Sequence, residues 1–132
     1  VKKMFRETFS NYKLRTDAVG RAEIFLGCFA ITTCPAGAAA HAESPTVLGA
    51  QIANELLDIN GIEASFVLTE YNGSIYVSAR SIDTINVQLI VERMGGGGHM
   101  NMAGVQIPGG KLEDVKQQII EIVKSMKAEK TI

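Results

Sequence analysis

The chain has 132 residues, 13 Lys plus Arg against 14 Asp plus Glu, and a formal net charge of −1. That length allows one domain with a real core, and 46% hydrophobic against 20% charged residues excludes a disordered chain. Near-neutral charge argues against a dedicated duplex-DNA binder, and two cysteines are too few for a disulfide scaffold. No run of roughly 18 or more apolar residues offers a membrane span. No apolar stretch follows Val1-Lys2-Lys3-Met4, so the start does not read as a signal peptide. Opening on Val1, the chain is expected to be a cytoplasmic piece of something longer.

Residues 1–21 hold six basic residues (Lys2, Lys3, Arg6, Lys13, Arg15, Arg21) and two acidic ones. Phe5, Phe9 and Tyr12 fall at i, i+4 and i+7, one face of a helix. That face either packs on its own domain or rests against a preceding one. Ala22 to Thr33, rich in Ile, Phe and Cys with Gly27 at its middle, predicts two short strands around a tight turn. The Ala- and Gly-rich stretch from Pro35 to Ala42 reads as a loop. Ser44-Pro45 supplies an N-cap and a first-turn proline. Leu48, Ile52, Leu56 and Ile59 form the apolar stripe of the helix that follows, closed at Asn60-Gly61.

Alternation at Ala64 to Glu70 and at Ser74 to Ala79, with Asn72-Gly73 between, predicts a β-hairpin. Asp83 is placed to cap a helix of about eleven residues carrying Val87, Ile90, Val91 and Met94, roughly 16 Å long. It stops at Gly95-Gly96-Gly97-Gly98. A short strand at Ala103 to Ile107 ends at Pro108-Gly109-Gly110. Leu112, Val115, Ile119, Ile122 and Met126 then stripe a last helix. No internal repeat appears. Interleaved strands and helices with one antiparallel hairpin predict an α/β fold: a mixed sheet of about five strands with helices on its faces.

The sharpest chemical feature is Gly95-Gly96-Gly97-Gly98-His99. Each glycine costs about 1 kcal/mol relative to alanine in regular structure, so the run needs a reason. Successive exposed N–H groups make an anion nest, and His99 adds a side chain beside it. The alternative is a flexible loop with a chance histidine. Arg80, in Ser78-Ala79-Arg80-Ser81, ends a strand and can aim its planar fork at a phosphate; otherwise it is a surface arginine. Cys28, Cys34, His41 and His99 match no common zinc spacing, and Ser78 or Ser81 lacks a base to make it a nucleophile. The residues give a phosphate cradle and no visible catalytic engine.

Val77-Ser78-Ala79-Arg80-Ser81, then Ile85-Asn86-Val87-Gln88, then Gly95 to His99 and on to Ala103, closely resembles the C-terminal DHH-associated domain of DHH phosphoesterases. The Asn-Val-Gln stretch before four glycines looks most like the membrane-anchored cyclic-di-AMP phosphodiesterase branch. The resemblance covers about residues 20–128. It implies a substrate-binding domain at 22–132, with 1–21 a linker helix toward an N-terminal catalytic domain that binds two manganese ions through its Asp-His-His motif. No Asp-His-His occurs here, so no metal or cofactor is expected in this chain, which alone should not hydrolyse substrate. Carried over, the resemblance implies substrate-phosphate binding by Gly96, Gly97, Gly98 and His99, helped by Arg80, with Asn101 reaching base or ribose. Met102 stands where the family's common form has alanine, which puts the substrate's identity in doubt. The substrate class implied is a cyclic dinucleotide or short oligonucleotide. A single-stranded nucleic-acid module of the RecJ type is the alternative, and a homodimer is left open.

Overall fold

The computed structural model describes residues 9–37 and 44–132. Phe5 and His41 lie outside them. Ten elements follow in chain order: α1 (Phe9–Gly20), β1 (Glu23–Phe25), β2 (Phe29–Cys34), α2 (Pro45–Leu57), β3 (Ala64–Tyr71), β4 (Ser74–Ser81), α3 (Val87–Glu92), β5 (Gly97–His99), β6 (Met102–Pro108) and α4 (Leu112–Ala128). One mixed sheet runs β1-β2-β3-β4-β6-β5. Among the described residues only β2 and β3 pair in parallel, joined by α2 as the crossover. The sheet has six strands rather than about five; the extra one is β5, whose glycines disguise it.

Period-two alternation sorts the sheet's residues onto two faces. Phe29, Ile31, Phe66, Leu68, Ile75, Val77, Ala79 and Ala103 meet α3 and α4 in the larger core. Ala30, Cys34 and Val67 meet Leu48, Ile52, Ala53 and Leu56 of α2 and Ala18 of α1 in the smaller one. Two buried hydroxyls on that second face find backbone partners, whereas Thr69 Oγ1 has none. Thr32 Oγ1 donates to the Ala18 carbonyl at 2.6 Å, and Ser65 Oγ donates to that of Ala53 at 2.8 Å.

Local signals account for most element ends. Ser44 caps α2, its Oγ accepting from Val47 N–H at 3.0 Å, with Pro45 in the first turn. Asn72 and Gly73 both take positive φ in the β3–β4 turn. In α4 the stripe of fully buried residues is Val115, Ile119, Val123 and Met126, with Leu112 and Ile122 half-buried beside it. In α1 the aromatic residues do not face the core. Phe9 is 78% exposed and Tyr12 50%, while Leu14, Ala18 and Val19 pack against the domain.

The third helix departs from expectation. It has six residues, not about eleven, and its cap is Asn86 rather than Asp83. Asn86 Oδ1 accepts from Leu89 N–H at 3.3 Å. Asp83 sits in the left-handed region at φ 57°, inside a turn that consumes residues 82–86. That turn is tied down by Ser81 Oγ donating to the Ile85 carbonyl at 2.6 Å and Val87 N–H donating to the Met100 carbonyl at 2.8 Å. Chain spent on the turn is unavailable to the helix.

Candidate functional site: a trough on the open half of the sheet

On the face covered by α1 and α2, these helices lie over β2, β3 and β4 among the described residues. A trough of about 440 Å³ opens there, with Arg80, Gly97, Gly98, His99 and Met102 in its lining. Its floor follows from register. Arg80 pairs with Met102, which pairs with His99; one rung along, Ser78 pairs with Gly104, which pairs with Gly97. Residues on one rung share a face, so Arg80, Met102 and His99 stand side by side. The juxtaposition that sequence left to helix packing is therefore built into the strand pairing. Thr46, at the start of α2, also lines the trough.

Arg80 is chemically the most unusual residue there. It is half-buried, and burial pushes its guanidinium pKa down. Its Nη1 donates only to its neighbour's carbonyl, Ala79 O, at 2.9 Å, and its Nε is buried with no partner. None of the ion pairs among the described residues involves it. A desolvated cation without a carboxylate is a destabilising arrangement unless an anion arrives.

The four glycines divide by cause. Gly95 has φ 88°, in the left-handed region that turns the chain out of α3. A Cβ on Gly96 would lie 2.5 Å from Val91 Cγ1 and from Val105 Cβ, so the close approach of α3 to β6 demands glycine. Gly98, at φ 146°, would push a Cβ to 2.6 Å from Ala103 Cα. Gly97 has no such reason: a Cβ there meets nothing within 4 Å, and it faces the trough.

Asn101 is placed elsewhere. Its Nδ2 donates to Ser81 Oγ at 2.9 Å and lies 3.4 Å from the Asp83 carbonyl oxygen, pinning the β4–α3 turn. It does not line the trough. Residues that sequence reasoning did not assign to binding include Thr46, Tyr76 and Gln106. Tyr76 and Gln106 continue the alternation from Arg80 and Met102, a signal that becomes readable once the register is known. Cys28 directly precedes β2 and Cys34 ends it, about 20 Å apart at a strand's rise, which removes them from any shared metal site. Burial raises both thiol pKa values.

The DHHA1 domain family profile matches residues 36–125. The chain belongs to the DHHA1 domain family. Over 124 residues it is 37% identical to the cyclic-di-AMP phosphodiesterase GdpP of Geobacillus thermodenitrificans, and 34% to the cyclic-di-AMP phosphodiesterase PdeA of Listeria monocytogenes. Each alignment takes in 93% of this chain and only 18% of the relative. This DHHA1 domain therefore matches a small part of larger proteins. Its fold is also that of an exopolyphosphatase-related protein from Bacteroides fragilis, at TM-score 0.80 and 17% identity, covering 93% of this chain and 36% of that one. The expected family is thus established. Among the described residues of the domain, no helix is long and apolar enough to cross a membrane, and no group of three or more His, Cys, Asp or Glu could hold a metal ion.

Proposed function

We propose that the trough binds the substrate phosphate of a metal-dependent phosphodiesterase acting on cyclic-di-AMP or a short oligonucleotide. A separate DHH catalytic domain of the same parent, carrying two manganese ions, would supply hydrolysis. The observation that carries this reading is Arg80, a half-buried cation whose Nε has no partner. A phosphate oxygen would complete its hydrogen bonding and offset its desolvation. Gly97 and His99 lie on β5, the edge strand, so among the described residues no strand pairs with its outward backbone groups. They and the His99 side chain would form the second wall of the phosphate site. Asn101 acts in this reading by fixing the turn after Arg80, not by touching ligand. The described residues do not fit a dinuclear metal centre, so no chemical step is assigned to this domain.

The two cyclic-di-AMP phosphodiesterase relatives favour a dinucleotide substrate. The test is a titration of the chain with cyclic-di-AMP, AMP and a short RNA, followed by NMR and repeated with Arg80→Ala and His99→Ala. Weak binding of the nucleotides, lost in Arg80→Ala, is the expected result. Binding that survives Arg80→Ala would overturn the assignment. Affinity that climbs with RNA length and collapses with salt would instead favour the single-stranded nucleic-acid module.

A further inference from the structure

We infer that Met102 is a specificity-determining residue of this site. Its thioether forms a platform for the face of a nucleobase, so the trough prefers base-bearing phosphate esters to base-free ones. The inference rests on the phosphate reading above and adds what lies next to the phosphate.

Met102 occupies the centre of the Arg80–Met102–His99 rung and is 53% exposed. Nothing in the core requires it. The apolar contribution of β6 to the core comes from its other face, through Ala103, Val105 and Ile107. A long apolar side chain is thus held in solvent between a cation and an imidazole, each about 4.8 Å away at the strand spacing. A phosphate at Arg80 or His99 places its ester substituent over the residue between them.

The neighbouring rung gives the substituent room. Gly104 and Gly97 stand beside Met102 and His99, and neither has a side chain to block a flat ring. Sulfur–aromatic contact at about 5 Å raises affinity roughly two- to tenfold. A thioether is a poor hydrogen-bonding group and an adaptable one, so it senses that a base is present without reading which base.

The test compares AMP, GMP and ribose 5-phosphate on the chain with its methionine methyls labelled for NMR. AMP should bind about three- to tenfold more tightly than ribose 5-phosphate, with AMP and GMP within about threefold of each other. The Met102 methyl should show nuclear Overhauser contacts to base protons. In Met102→Ser the AMP-to-ribose 5-phosphate ratio should fall toward one, and Met102→Leu should restore part of it. An unaltered ratio in Met102→Ser, or bound AMP without methyl–base contacts, would overturn the role of Met102 while leaving the phosphate site standing. Failure of the unmutated chain to bind either compound would overturn both.

Discussion

The two faces of β4, β6 and β5 are made by the same strands and obey different rules. Toward α3 and α4, Ile75, Val77, Ala79 and Ala103 are buried, and Gly96 and Gly98 are forced by close approach. Toward the trough, Arg80, Met102, His99 and Gly97 fill no core, and Gly97 could carry a Cβ without a clash. The residue types on the first face follow from packing density. Those on the second do not: a desolvated cation, an exposed thioether and a side-chain-free position all leave stability unused. Alternation along a strand lets one segment meet both demands, because neighbouring residues point into different environments.

This contrast breaks most visibly where glycine is obligatory. Gly98→Ala should destabilise the fold by about 3 kcal/mol or more, since positive φ and the contact with Ala103 compound each other. Chemical denaturation measures it; a loss below about 1 kcal/mol would show that β5 is free to move away. Ile75→Ala, on the same face and fully buried, should cost about 2–5 kcal/mol through lost burial and a residual cavity. A small cost would mean that α4 collapses onto the gap.

How much of this was legible in the sequence depends on whether the cause was local. The Ser44-Pro45 start and the Asn72-Gly73 turn are set by residues within a turn of one another and are found as expected, while in α4 Val115, Ile119 and Met126 are buried as expected but Val123 takes the place given to Ile122. The Gly95–His99 run, with the arginine strand before it, identified the family. Its division of labour was not legible, because Gly96 is fixed by Val91 and Val105, whereas no neighbour demands glycine at 97. Likewise, the truncated α3 and the inward-tied Asn101 depend on hydrogen bonds across a turn. The rung joining Arg80 to His99 depends on a register that no spacing within one segment specifies.

On the trough face the reverse pattern is expected, with binding lost and stability kept. Arg80→Met retains the aliphatic stem and removes a desolvated charge that no carboxylate balances. Stability should stay within about 1 kcal/mol of the parent or rise, while nucleotide affinity falls by about tenfold or more. A thermal melt and a titration on the same sample read both. A large loss of stability would mean that the guanidinium is structural, and that its unpartnered Nε is no guide to a ligand.

Gly97→Ala is the finest test, because it alters one methyl group. Alanine costs no more than glycine in a strand, and no atom lies within 4 Å of the added Cβ, so folding should shift by only about 0.5 kcal/mol. That methyl would nevertheless project into the trough beside His99, over the space assigned to ligand. Nucleotide affinity should fall by about three- to tenfold, at a position the fold leaves free. If affinity were unmoved while Arg80→Met abolished binding, the ligand would sit on the β4 side of the rung alone. The glycine at 97 would then be explained by neither face.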